Sequence, residues 1–286
     1  MTNIEITNEF LKSNGFVVCK KIIPKYKTEI AAKISKELYL KEHLKAVSSK
    51  ELPEKFTLTN PFPKTNKEEM LDFMQSKGDL KLPTLHGSLT VESRLSDHFL
   101  EILKDEKTID LLSKLLTSKK VYLHLCPSVR VIHPNFNFAL VPPHNDISYN
   151  AHFRNKSKEN ISEKRNFLTI WIPLKSNYYI DGGLKVFSSQ RSSEIKNKAK
   201  TFWIKDMSLK DSNSFVPEYE VGDVIIFEPD LIHGSASPSD KAKDFRISMD
   251  CRVFGENTIT PRHYMDLSTG ERFEPGQGPC GYKENK

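Results

Sequence analysis

The 286-residue chain lacks any stretch close to the roughly 18 consecutive apolar residues that a membrane span needs, so no membrane association is expected. Its opening residues, MTNIEITNEFLKSNGF, contain no basic segment followed by an apolar one, which points away from secretion and toward the cytoplasm. Cysteine is scarce. Cys19, Cys126, Cys251 and Cys280 are scattered without CxxC spacing, which excludes a zinc ribbon and a disulfide framework and fits a reducing compartment. There is no P-loop, no HExxH, no GxGxxG after a strand and no GxSxG. Phosphoryl transfer, zinc proteolysis, dinucleotide binding and α/β-hydrolase chemistry therefore have no support. Excess charge is also lacking: 43 Lys+Arg against 37 Asp+Glu leave a net +6 spread along the chain. That is too mild to indicate nucleic acid as a partner, and it slightly favours an anionic small molecule over a cationic one.

What is present suffices for a packed core: 37% of residues are hydrophobic and 28% charged, a globular balance. No repeat, low-complexity tract or Pro/Gly/Ser linker divides the chain, so one domain is expected. It comprises a mainly helical flank (1–119), a β core (120–256) and a C-terminal extension (257–286). In the flank, Ile30, Ile34 and Leu38 recur at i, i+4 and i+8, one helix face. A second helix is predicted from about Ser96 to Leu116, with Phe99, Leu103, Leu112, Leu115 and Leu116 as its apolar face and Ser96-Asp97 at its start. Gly15-Phe16-Val17-Val18 reads as a strand, and Pro53, Pro61, Pro63 and Pro83 punctuate loops.

Strands dominate after Lys120. They are predicted at 121–125, 129–132, 136–140, 167–174, 224–227 and 245–254, a pattern of sandwiches and barrels. Two polar stretches, 154–165 and 190–214, read as solvated loops or as a lid over a site. The Gly- and Pro-rich 261–282 could fold back over the barrel mouth.

The chemistry concentrates in three places. In His144-Asn145-Asp146, alternation along a strand turns His144 and Asp146 to one side. A second histidine would complete a two-His, one-carboxylate set, which holds Fe(II) by one face and leaves the opposite positions open. His233, which follows the apolar strand 224–227, is the leading third ligand; His133 and His152 compete for the place. An HxD alone arises often by chance, but followed by strand–turn–His and then by an arginine in the next strand it is far more specific. That arginine is Arg246. Alternation puts Arg246, Ser248, Asp250 and Arg252 on one face and Ile247, Met249, Cys251 and Val253 on the other. A barrel interior lined by arginine is costly unless it holds an anion, and a planar guanidinium fork suits a carboxylate. The other arrangement places this polar face outside, with Arg–Asp pairs across the surface.

These motifs resemble the phytanoyl-CoA dioxygenase family of Fe(II)/2-oxoglutarate-dependent oxygenases. The matching segments are Asn14–Val18, Pro143–Asp146, Trp171–Leu174, Gly182-Gly183-Leu184, Gly222–Phe227, and His233-Gly234-Ser235 followed by Arg246. The resemblance implies a mainly β fold with flanking helices, a double-stranded β-helix or jelly roll of the cupin kind. It implies His144, Asp146 and His233 as metal ligands, and Arg246 as the salt-bridge partner of the 2-oxoglutarate C5 carboxylate. Ser235, Trp171, Ser248 and, more loosely, Arg130 come to lie near the cosubstrate. The cofactor set is Fe(II), 2-oxoglutarate and O2, with hydroxylation of a C–H bond and succinate and CO2 as coproducts. The intact Asp146 favours hydroxylation over halogenation. His144-x-Asp146-x-x-Tyr149 and Arg246-x-Ser248-x-Asp250-x-Arg252 are similar to the streptomycin-biosynthesis type, which hydroxylates sugars and secondary metabolites. Ser188–Arg191 departs from the family's Pro-Gly-Ser-His pattern, so the substrate class does not carry over.

Tyr149, Asn135 and Asn137 are placed to meet cosubstrate or substrate, or to satisfy loop backbone; Phe136 and Phe138 read as core. Arg252 reaches an anionic substrate, or pairs with neighbours of Asp250 or with Glu218 and Glu220. Cys251 reads as a small buried hydrophobe. Two other functions share the fold: a cupin-like metalloenzyme with no use for a carboxylate clamp, and a non-catalytic jelly-roll binding module.

Overall fold

The structure is a computed structural model and describes residues 3–49, 87–132, 134, 140–147, 150, 152–156, 167–187 and 214–282. The flank supplies α1 (Asn3–Asn14), β1 (Phe16–Cys19), α2 (Lys25–Ser48), α3 (Val91–Arg94), α4 (Asp97–Leu100) and α5 (Glu106–Leu116). The core follows with β2 (Val121–His124), β3 (Ser128–Ile132), β4 (Arg154–Asn155), β5 (Leu168–Lys175), β6 (Gly183–Phe187), β7 (Ser214–Phe215), β8 (Val224–Phe227), β9 (His233–Ala236) and β10 (Arg246–Gly255). β11 (Thr258–Ile259), β12 (Tyr264–Asp266) and β13 (Arg272–Phe273) complete it.

Two antiparallel sheets make the jelly roll. The larger runs β1-β8-β5-β10-β2-β12-β13, with β3 also paired to β10; the smaller runs β7-β6-β9. An isolated bridge between His144 and His233 attaches the segment before β4 to the edge of the smaller sheet. β10 is the organiser. It pairs with β5, β3 and β2, so its two faces belong to two different environments. Ile247, Met249, Cys251 and Val253 point outward into a core shared with Val129, Ile170 and Ile226 and roofed by α2. Each of these four β10 side chains is 0% exposed, and burying Ile247, Met249 or Val253 stabilises by about 1.5–3 kcal/mol apiece. Between the sheets lies a second cluster of Trp171, Leu184, Val186, Tyr219, Ile225 and Phe227. β5 and β8 serve both cores, which is why their sequences are continuous apolar runs rather than alternating ones.

Three expectations need correction. The buried face of α2 is not Ile30–Ile34–Leu38: Ile30 is 51% exposed, while Thr28, Ala31, Ser35, Tyr39 and His43 are each at most 1% exposed. Small side chains let the helix settle close on the sheet, where Tyr39 meets Phe245 edge-on at 5.8 Å, and Ile34 and Leu38 flank the contact. The single helix expected over Ser96–Leu116 is two helices. The break buries Ile102 and Leu103 and lets Asp105 cap α5, its carboxylate accepting the Lys107 N–H at 3.1 Å, while Ser96 makes no capping bond. β2 does not alternate between core and solvent either. All four of its residues are buried, because Tyr122 faces the aromatic cluster of Phe153, Phe167, Phe254 and Tyr264.

The C-terminal stretch adds β12 and β13 beyond β2, and the Tyr282 hydroxyl donates to the His152 carbonyl at 3.1 Å. Residues 136–139 of the expected strand, most of the 154–165 loop and residues 190–213, together with residues 50–86, lie outside the described residues. Among the described residues no helix is long and apolar enough to cross a membrane.

Candidate metal and cosubstrate site

His144 and His233 meet because their backbones pair. Each donates its N–H to the other's carbonyl at 2.9 Å, and the rings stand 4.3 Å apart between centroids. Asp146 is secured by its own N–H, which donates to the Pro229 carbonyl at 2.8 Å. The ligand atoms of His144, Asp146 and His233 all lie within 4.8 Å of one another, and all three residues are buried.

The imidazoles are oriented for a metal. His144 Nδ1 lies 2.8 Å from the Pro142 carbonyl and His233 Nδ1 lies 3.0 Å from the Leu231 carbonyl. A carbonyl only accepts, so each Nδ1 carries the proton and each Nε2 presents a lone pair toward the other ligands. Electrostatics agree. Burial pushes the His144 imidazole down to about 3, with His233 adding to the effect, and burial also pushes His233 down. Burial alone would raise Asp146, but the Arg252 guanidinium, His233 and the Thr169 hydroxyl together hold its carboxyl below the usual range. Two neutral imidazoles and one carboxylate form a donor set that fits a divalent iron.

Beside the triad a cavity of about 50 Å³ is bordered by Arg130, Trp171, Ser235, Arg246, Ser248 and Arg252, as well as His144 and His233. Arg130, Trp171, Ser235, Arg246, Ser248 and Arg252 thus border one space with His144 and His233. Arg246 is 3% exposed. Its Nη1 donates to the Gly183 carbonyl at 2.8 Å and its Nη2 to Ser235 Oγ at 3.2 Å, while its Nε is buried without a partner. Burial pulls this guanidinium down to about 10; Asp181 acts on it only from a distance, and among the described residues no carboxylate forms an ion pair with it. A buried cation without an ion-pair partner, next to a ligand triad, fits the distal carboxylate of 2-oxoglutarate. The polar face of β10 therefore lines the interior, and the arrangement that put it on the outer surface is overturned.

Arg252 departs from its expected partners. It touches neither Glu218 nor Glu220; Nη2 donates to Asp146 Oδ1 at 2.8 Å and Nη1 to Asp250 Oδ1 at 2.5 Å. Arg130 Nε stands 3.9 Å from the second oxygen of Asp250. His152 lies against His124, 5.2 Å between ring centroids, rather than in the triad. His133, Asn135, Asn137 and Tyr149 lie outside the described residues. Cys251 is buried and its thiol is pushed up by burial, consistent with an inert core side chain. Sequence reasoning missed Thr169, whose hydroxyl donates to Asp146 Oδ2 at 2.6 Å, and gave no role to Gly183 of the matching Gly182-Gly183-Leu184 segment, whose carbonyl seats Arg246. A Cβ on Gly183 would come within 2.6 Å of the Tyr219 hydroxyl, so only glycine brings that carbonyl into place. A lone threonine in an apolar strand was the available signal for Thr169.

The phytanoyl-CoA dioxygenase (PhyH) family profile matches residues 12–244. The chain belongs to this family. It is a 2-oxoglutarate-dependent oxygenase, with a His-Asp-His set able to bind iron. No curated protein matches it in sequence. Solved structures resemble it in fold at low identity. The epimerase SnoN, in complex with Fe3+, alpha ketoglutarate and nogalamycin RO, has a TM-score of 0.56 at 10% identity, covering 90% of this chain and 85% of that one. EctD from S. alaskensis, with 2-oxoglutarate and 5-hydroxyectoine, has a TM-score of 0.51 at 15% identity, covering 91% and 78%. The non-heme monooxygenase ThoJ, in its apo form, has a TM-score of 0.55 at 10% identity, covering 96% and 85%.

The depressed imidazoles carry a stability signature. His124 is also pushed down to about 3 by burial, with His152 next in effect. In the unfolded chain these groups take up protons below about pH 6.5, while the folded ones stay neutral. Stability is therefore full above that pH and falls as pH drops toward 3, by up to about 1.4 kcal/mol per pH unit for each imidazole. Asp146, held below its usual range, acts in the same direction. Calorimetry of the metal-free protein is expected to show melting lower by the order of 10 °C at pH 5 than at pH 7. A flat profile would contradict the burial of neutral imidazoles.

Proposed function

We propose that this oxygenase hydroxylates a C–H bond of a small metabolite, anionic or sugar-like, with one domain spanning residues 1–286. His144, Asp146 and His233 hold Fe(II). Arg246, with Ser235 beside it, takes the C5 carboxylate of 2-oxoglutarate, and Trp171, Ser248 and Arg130 line the cosubstrate's space. When bound, the iron and 2-oxoglutarate supply the oxidising chemistry, in which O2 is divided between product hydroxyl and succinate, with release of CO2. The chain's own residues orient the ligands and supply the compensating charge, and Phe227, tilted against the His233 ring at 4.5 Å between centroids, and Leu184 give the cavity its apolar lining.

The observation that carries the proposal is Arg246, buried and without a carboxylate partner beside the triad. A cupin-like enzyme working on the metal alone has no need of it. A small anionic or sugar-like substrate is supported by the net +6, by Arg130 at the cavity and by the likeness of the β10 motif to sugar-modifying members. SnoN and EctD were each solved with a small organic molecule. The test is anaerobic addition of Fe(II) and 2-oxoglutarate. A weak visible charge-transfer band is expected, and succinate release on admitting O2 with sugars, amino acids, phosphonates or acyl thioesters then ranks the substrate classes. Iron bound without the band would sink the proposal.

A further inference from the structure

The carboxylate of Asp146 is gripped from both sides. Oδ1, which lies 4.0 Å from His144 Nε2, accepts Arg252 Nη2 at 2.8 Å, and Oδ2 accepts the Thr169 hydroxyl at 2.6 Å. Asp146 and Thr169 are each 0% exposed, so no water competes for these bonds. Arg252 is itself fixed, because its other terminal nitrogen is bound to Asp250 on the same strand. The partners come from β5 and β10, adjacent strands in which Thr169 sits opposite Arg252 in register. The grip is therefore part of the sheet rather than a loop contact.

A metal-binding carboxylate can offer one oxygen or two. Offering two takes an extra coordination position, and a two-His, one-carboxylate centre works only while its remaining positions stay open. Here the second oxygen is already committed to a buried hydroxyl, and the plane of the carboxylate is set by a guanidinium that cannot turn without breaking its bond to Asp250. We propose that Arg252 and Thr169 are positioning residues that hold Asp146 as a one-oxygen ligand, with Arg252 setting its plane and Thr169 sequestering Oδ2. The inference rests on the triad being the metal centre. It differs from simple neutralisation of a buried acid, since lysine would neutralise equally well but cannot fork between two carboxylates.

The probe is Co(II) alone, followed by its d–d absorption and then by titration of 2-oxoglutarate into the Co(II)-loaded protein. Thr169→Val keeps shape and leaves every charge in place. It is expected to retain Co(II) affinity, to change the d–d bands and to weaken 2-oxoglutarate binding at least tenfold as the freed oxygen moves onto the metal. Arg252→Lys is expected to weaken Co(II) binding about 10–100-fold, the usual cost of losing an outer partner of a ligand. Wild-type bands and wild-type 2-oxoglutarate binding in Thr169→Val would overturn the proposal, and so would wild-type Co(II) affinity in Arg252→Lys. Should the lysine variant not fold, the valine variant decides. Failure of the wild-type protein to bind Co(II), or indifference to His144→Ala, would instead remove the metal centre itself.

Discussion

Replacing Arg246 by alanine is expected to raise the 2-oxoglutarate concentration for half-maximal succinate release by about two to three orders of magnitude, while Co(II) binding by the triad changes only a few-fold. The reasoning is electrostatic. The guanidinium is preorganised by Gly183 and Ser235, and a buried, hydrogen-bonded charge pair costs about 2–5 kcal/mol when one partner is truncated. Without cosubstrate the same charge is a liability, since it lies buried with no ion-pair partner among the described residues. Arg246→Met, which keeps the volume, should therefore leave the cosubstrate-free protein as stable as wild type or more so, even as it abolishes tight cosubstrate binding. An Arg246→Ala enzyme with wild-type dependence on 2-oxoglutarate would show that the carboxylate is held elsewhere.

The parts of this site legible in the sequence are those that depend on local period. Alternation along 246–253 assigns the faces of β10 correctly, because a strand has only two faces and its neighbours leave it no choice. His144 and Asp146 come together without the strand that alternation presumes: His144 makes an isolated bridge to His233, and Asp146 is set by its N–H to the Pro229 carbonyl; His233 follows from its place after the apolar β8. What the sequence does not show is register. The contact between Arg252 and Asp146 spans 106 positions and exists only because β10 lies against β5, which brings Arg252 opposite Thr169. Thr169 itself sits in a strand buried on both faces, where a hydroxyl carries no periodic mark. α2 was misread for a different reason. Hydrophobic periodicity picks out the large residues, Ile30, Ile34 and Leu38, whereas close docking of helix on sheet selected the small ones, Ala31 and Ser35. Asp105 overrode the continuous apolar pattern of 96–116 because an aspartate caps a helix better than it continues one.

Removing a metal ligand is expected to have two opposite effects in one protein. His233→Ala should lose Co(II) affinity by more than the 10–100-fold that an outer partner costs, and should release no measurable succinate. The loss follows from geometry: among the described residues no other group of three His, Cys, Asp or Glu could hold a metal. The same substitution also takes away a buried imidazole that the fold keeps neutral against its ordinary tendency to protonate. Stability lost as the pH falls below about 6.5 should then be smaller, by up to about 1.4 kcal/mol per pH unit. The vacated space costs stability at neutral pH, so the melting curves of variant and wild type should converge as the pH falls. Arg252 stays paired with Asp146 and Asp250, so no charge is orphaned to obscure the comparison. Full metal affinity in His233→Ala would move the metal centre away from this triad, and parallel melting curves would mean that the His233 ring is already protonated in the folded protein.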